Sequence, residues 1–216
     1  MTATIKICGL KTIEMVDVAI ANHADYIGLV FFPPSPRNVS IDEAIPLANL
    51  ARGKTKIVAL GVDADNQLLN DLVSNVKPDF IQAHGSETPE RVTEIKSLTG
   101  LPVIKAIKVR EASDVETATD YKNIADIILF DAKAPDTTPN ALPGGNGIGF
   151  DWSLLNQTTP PSGFMLSGGL DPSNIGDAVT LTDAAIFDVS SGVEKSPGEK
   201  DAALIKNFIE TARAGR

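Results

Sequence analysis

Short apolar runs rich in Val and Ile recur eight times along this chain, at residues 5–8, 26–31, 56–62, 80–82, 103–107, 127–130, 164–166 and 185–189. Between or after them, residues 13–21, 42–50, 66–76, 89–98, 112–119, 172–180 and 202–212 place apolar side chains at helical spacing. A strand that pairs in parallel with the next strand needs a crossover, and a helix supplies it, so the alternation predicts βαβ units. Ile27-Gly28-Leu29-Val30-Phe31 is apolar at consecutive positions, as expected of a strand covered on both faces. Eight units in 216 residues sit close to the lower size limit of a TIM barrel, whereas a doubly wound open sheet of about six strands leaves some runs unassigned. The expected fold is α/β, a single-domain TIM (βα)8 barrel over residues 1–216. Helix starts are signalled at Ser40 with Asp42-Glu43, at Thr88-Pro89 and at Asp171-Pro172, and a stop at Gly100 before Leu101-Pro102. Residues 135–143 form one long irregular insert, read as a mobile loop.

Composition removes several function classes. The 19 Lys and Arg against 28 Asp and Glu give a net charge of −9, and no basic cluster offers nucleic acid the phosphate contacts it requires. The single cysteine, Cys8, rules out an internal disulfide and a cysteine-based zinc site. No uncharged apolar run is long enough to span a membrane, and the N-terminus lacks the apolar stretch of a signal peptide, so the cytoplasm is the expected location.

In a barrel of this type the reactive groups sit at the C-terminal ends of the strands. Polar residues collect there: Cys8 closes the first run, Arg37 follows the second, and Gln82 and His84 end the fourth. Lys105 lies in the fifth, Asp131 ends the sixth, and Asp188 lies near the end of the eighth. Strand parity puts Lys6 and Cys8 on one face, with Ile5 and Ile7 on the other, under the helices. Ser167-Gly168-Gly169-Leu170 and Val189-Ser190-Ser191-Gly192 follow the seventh and eighth strands, where barrels commonly bind phosphate through backbone N–H groups.

These residues carry a resemblance. Lys6-Ile7-Cys8-Gly9-Leu10, Ser35-Pro36-Arg37, Gln82-Ala83-His84-Gly85, Phe130-Asp131-Ala132-Lys133 and Gly144-Gly145-Asn146-Gly147 stand in the order of the phosphoribosylanthranilate isomerase family of tryptophan biosynthesis. Leu166-Ser167-Gly168-Gly169-Leu170 and Ser190-Ser191-Gly192-Val193-Glu194 continue the match to Asp201. The chain departs from the pattern at Ala83, where leucine is common, at Asn146, where threonine is common, and in the length of the 135–143 loop.

The resemblance implies an Amadori rearrangement, the third step of tryptophan synthesis from chorismate, that converts N-(5-phosphoribosyl)anthranilate to 1-(2-carboxyphenylamino)-1-deoxyribulose 5-phosphate. It implies no cofactor and no metal, one small phosphorylated substrate as partner, and either a monomer or a homodimer. An acid protonates the furanose oxygen and a base removes the C2 proton; the resemblance gives these roles to Asp131 and Cys8. A thiol base near neutrality needs a neighbouring cation, for which Lys6 is a candidate. A carboxylic acid that donates near neutrality needs an apolar setting or a like charge, and Ile127-Ile128-Leu129-Phe130 offers the first. Arg37 is expected to meet the anthranilate carboxylate, Asp188 an amine or hydroxyl of the substrate, and Gly168, Gly169, Ser190 and Ser191 the phosphate.

Each residue also has an ordinary structural role open to it. Cys8 could be a small buried hydrophobe, Asp131 a helix cap or a partner of Lys133, and Arg37 a solvated loop residue. Asp188 could orient the Ser190-Ser191 loop, and His84 reads better as a structural hydrogen-bonding residue than as a catalyst. Glu199-Lys200-Asp201 reads as a charged face at a helix start. Two rivals share the barrel: a phosphate-sugar decarboxylase or epimerase, and a phosphate-binding module without turnover.

Overall fold

The structure is a computed structural model that describes residues 2–133, 144, 145 and 147–215. The 135–143 insert and Asn146 therefore lie outside the described residues. Eight strands close into one parallel barrel in chain order. They are β1 (Thr4–Cys8), β2 (Tyr26–Phe31), β3 (Lys56–Gly61), β4 (Phe80–Ala83), β5 (Val103–Val109), β6 (Ile127–Ala132), β7 (Met165–Leu166) and β8 (Ile186–Val189). Around them run α1 (Ile13–Ala21), α2 (Ile41–Ala51), α3 (Asn66–Asp71), α4 (Pro89–Thr99), α5 (Ala112–Glu116), α6 (Ser153–Asn156), α7 (Ile175–Leu181) and α8 (Ala202–Ala214).

The helix starts are chemical as well as periodic. Ser40 and Glu43 exchange hydrogen bonds in a capping box at α2, and Thr88 caps α4 ahead of Pro89. Gly100 ends α4 in the left-handed region at φ 67°, which a residue with a Cβ adopts only under strain. One of the three signalled starts differs from the sequence expectation. Asp171 accepts from the N–H groups of Ser173 and Asn174 and so caps a turn, and α7 begins only at Ile175. Between β6 and β7 stands the single turn α6, too short to leave a periodic signal. A small antiparallel hairpin, β9 (Glu194–Ser196) with β10 (Glu199–Lys200), turns at Pro197-Gly198 and has no counterpart in the sequence reading.

Strand parity sorts the side chains. Ile5, Ile7, Val103, Phe130 and Phe187 face outward into the main apolar layer beneath the helices. Inside, Val58, Ile104, Ala106, Leu129, Met165 and Ile186 fill the lower barrel, with Tyr26 and Phe80 edge to face at 5.6 Å. Above this plug the interior turns polar at Lys6, Gln82 and Asp188. Cys8, Val30 and Leu60, with Phe32 and Val62 against them, line the upper interior. A close-packed floor thus supports a polar mouth at the C-terminal strand ends.

Candidate active site

The β1 and β8 walls hold one buried polar group. Lys6 is wholly buried, and its Nζ donates to Asp188 Oδ1 at 2.9 Å. The other Asp188 oxygen accepts from the Ser167 hydroxyl at 3.4 Å. Burial opposes the charge on Lys6, but Asp188 and then the Cys8 thiolate outweigh it, and its pKa is raised. One pleat higher, Cys8 pairs in register with Gly28, and a Cβ on Gly28 would approach Cys8 Sγ to 2.7 Å. Only glycine leaves the thiol its place. Burial pushes the Cys8 thiol up, Lys6 and Lys200 pull it down, Asp188 pushes it up, and the balance stays above the ordinary thiol value. Lys6 therefore favours the thiolate, as its position suggested, without overcoming the burial.

On the far wall, Asp131 ends β6, almost fully buried. Its Oδ1 accepts from the Ala132 N–H at 3.0 Å, and Oδ2 lies 3.1 Å from His84 Nε2. His84 Nδ1 in turn lies 2.8 Å from the Gln82 amide nitrogen. With that nitrogen donating to Nδ1, the ring proton sits on Nε2 and points at Asp131. His84 is thus a hydrogen-bonding residue bound directly to the proposed acid. Gly144 backs onto both, and any side chain there would collide with His84 Nε2 and Asp131 Oδ2.

The Gly168-Gly169 and Ser190-Ser191 segments meet at a third side of the same pocket. Gly168 and Gly169 take positive φ values of 88° and 67°, and among the described residues their N–H groups have no acceptor. Asn174 fixes this turn by donating to the Gly169 carbonyl at 2.8 Å while accepting from the Asp171 N–H. The pocket continues past Val30, Phe32, Leu60 and Val62, so an apolar side lies across from the glycine and serine side. Cys8, Asp131, His84, Asp188 and Arg37 all open into it.

Arg37 is buried rather than solvated, and its fork is already in use within the protein. Nε donates to Glu194 Oε1 at 2.8 Å and Nη2 to Glu194 Oε2 at 2.9 Å. Nη2 also donates to the Gly145 carbonyl at 3.1 Å, leaving Nη1 without an acceptor among the described residues. Glu194 and its second partner, Lys200, were missed by the sequence reading. Lys200 is no part of a charged surface: it is buried in β10 and donates to Glu194 Oε1 at 2.8 Å. Pro-Gly between two short polar runs was the available hairpin signal.

Lys105 is a correction of another kind. Parity turns it out of the barrel, where it meets Glu87 at 2.7 Å and lies over the Tyr121 ring, away from the pocket. Asp201 caps α8 through the Ala203 and Leu204 N–H groups. Among the described residues no group of three His, Cys, Asp or Glu side chains is placed to hold a metal ion, and no helix is long and apolar enough to cross a membrane.

Comparison with known proteins follows the same outline. The family model for N-(5'-phosphoribosyl)anthranilate (PRA) isomerase matches residues 5–211. The N-(5'-phosphoribosyl)anthranilate isomerase of Rhizobium meliloti is 54% identical over 213 residues, which cover 99% of this chain and 98% of the relative. The crystal structure of phosphoribosyl anthranilate isomerase from Thermotoga maritima superposes with a TM-score of 0.87 at 33% identity, over 98% of this chain and 99% of that one. A phosphoribosyl anthranilate isomerase solved in complex with reduced 1-(o-carboxyphenylamino)-1-deoxyribulose 5-phosphate gives 0.84 at 31% identity, with the same coverage. This chain belongs to the N-(5'-phosphoribosyl)anthranilate isomerase family.

Proposed function

We propose that this protein converts N-(5-phosphoribosyl)anthranilate to 1-(2-carboxyphenylamino)-1-deoxyribulose 5-phosphate by an Amadori rearrangement, with Asp131 as general acid and Cys8 as general base. The observation that carries the reading is the pocket itself. It sets a carboxyl group and a thiol on separate walls, between an apolar side and a glycine-serine side. The phosphate lies at the N–H groups of Gly168 and Gly169 and at the Ser190-Ser191 turn, through its backbone and the Ser191 hydroxyl, since the Ser190 hydroxyl already donates to the Cys8 carbonyl. This grip is remote from the reacting bonds. The anthranilate ring packs against Val30, Phe32, Leu60 and Val62, and its carboxylate meets Arg37 Nη1.

Asp131 gives its proton to the furanose ring oxygen as the C1–O bond breaks, which leaves a Schiff base between C1 and the anthranilate nitrogen. The carboxylate so formed is received by the Ala132 N–H and the His84 Nε2–H, both already within hydrogen-bond distance. Cys8 as thiolate then takes the C2 proton, and the electron pair moves into C1=C2 to give the enolamine. Protonation at C1 by the Cys8 thiol and loss of the enol proton to the Asp131 carboxylate complete the ketone and restore both groups. Hydrogen moves within one molecule, so the steps balance without an external oxidant or reductant. Asp188, between Lys6 and Ser167, faces the sugar hydroxyls and the amine. All these groups come from one chain, so the same site serves a monomer or a homodimer.

The test is direct. Freshly made phosphoribosylanthranilate loses its anthranilate fluorescence when the purified protein is added. A chain that leaves the fluorescence unchanged while binding the substrate would be the phosphate-binding module instead.

A further inference from the structure

The reaction above leaves one buried charged cluster unused. Glu194 accepts four hydrogen bonds: Oε1 from Arg37 Nε and Lys200 Nζ, each at 2.8 Å, and Oε2 from Arg37 Nη2 at 2.9 Å and the Gly198 N–H at 3.1 Å. Lys200 uses its other donors on Ser190, at 2.8 Å to the carbonyl and 3.3 Å to the hydroxyl. That hydroxyl donates in turn to the Cys8 carbonyl at 3.1 Å. A carboxylate accepts about four hydrogen bonds and an ammonium donates three, so both groups are saturated. The open donors of the unit are the two N–H groups on Arg37 Nη1. Two cations and one anion also leave a net charge of +1 in a buried setting, which a carboxylate arriving at Nη1 would balance.

A hairpin of seven residues does not require three buried charges to turn a corner. A substrate with a carboxylate at one end and a phosphate at the other does require its two grips at a fixed separation. We infer that Glu194 and Lys200 are positioning residues: Glu194 aims Arg37 at the substrate's carboxylate, and Lys200 ties that arginine to the Ser190 phosphate loop, so that both ends are set by one hydrogen-bonded unit. The inference rests on the isomerase reading and deepens it. Sulfonate or carboxylate on the aryl ring is the specificity it confers; an unsubstituted aryl amine gains nothing from it.

A double-mutant cycle tests it. Glu194→Gln keeps the shape but withdraws the charge and one acceptor, and it is expected to raise KM for phosphoribosylanthranilate about tenfold, with kcat within about threefold. In an Arg37→Ala background the same substitution is expected to change KM by less than twofold, because its route of action is gone. With N-(5-phosphoribosyl)aniline, which has no carboxylate, Glu194→Gln is expected to leave KM as in the parent. Equal losses in both backgrounds, or with both substrates, would show a scaffold role and overturn the inference. If Glu194→Gln does not fold, Glu194→Asp, which keeps the charge but shortens the reach to Arg37, is measured in the same cycle and decides by the same criteria. An unmodified protein that does not turn over phosphoribosylanthranilate at all refutes the isomerase reading instead, so the two failures are distinct.

Discussion

Lys6 and Lys105 are both buried in mid-strand, and each holds a carboxylate within 2.9 Å, yet they belong to different parts of the molecule. Lys6 points into the barrel, pairs with Asp188 and bears on Cys8. Lys105 points out, beneath the helices, where Glu87 also accepts from the Asp63 and Gly85 N–H groups. The outer pair ties the β3 and β4 loops to β5, while the inner pair sets the electrostatics of the pocket. Strand parity, a matter of one residue in register, separates a lysine of the fold from a lysine of the site.

Substitution should make that difference measurable. Lys6→Met leaves Asp188 buried and unpaired beside the thiol. It is expected to cut kcat by about 10–100-fold as the thiolate becomes harder to form, and to cost about 3–5 kcal/mol in denaturant unfolding. Because Cys8 is the only cysteine, alkylation followed by mass is a clean readout, and Lys6→Met should slow it further. Lys105→Met is expected to lose a similar 3–5 kcal/mol of stability but to keep kcat within about threefold at a temperature where it is folded. A large kcat loss in Lys105→Met, or none in Lys6→Met, would erase the distinction between the two faces.

The contributions of Glu87 and Lys6 should also be lost at opposite ends of the pH scale. Glu87 is opposed by burial, but Lys105 and its hydrogen bonds hold its pKa below the ordinary 4.5. Its contribution to stability is therefore present above that ordinary value and lost as pH falls through the lower folded value. Lys6 has a pKa raised above 10.5, so its contribution is present below that value and lost as pH rises through the higher folded one. The stability gap between the parent and Glu87→Gln should narrow on acidification, and the gap to Lys6→Met should narrow as pH rises toward the alkaline extreme. A Glu87→Gln gap that holds in acid, or a Lys6→Met gap that holds through the alkaline range, would contradict the assignment.

Period and parity made much of this legible in the sequence. The eight runs at a βα spacing pointed to the closed barrel, and alternation placed Lys6 with Cys8 inside and Ile5 with Ile7 outside. The strand-end rule marked Asp131, Asp188 and the two glycine-serine segments, which the structure brings into one pocket. What stayed hidden depends on partners distant in sequence. Nothing local to Arg37 announces a carboxylate 157 residues away, and Glu194-Lys195-Ser196-Pro197-Gly198-Glu199-Lys200 has the composition of an exposed turn. Lys105 misled because a mid-strand residue was counted with the strand-end polar groups; parity puts it on one face with Ile107, and that face is the outer one. Gly28 went unnoticed because its role, room for the thiol opposite it, exists only once β1 and β2 are in register.

The central claim is that Cys8 and Asp131 are a base and an acid acting on opposite sides of one bound sugar. The most direct measurement is kcat for phosphoribosylanthranilate, followed by fluorescence, in Cys8→Ala and Asp131→Asn beside the parent protein, with binding of the reduced product analogue as a control. The account predicts a loss of about 10²-fold or more in each variant, with the analogue still bound. Turnover within a few-fold of the parent in either variant would contradict it.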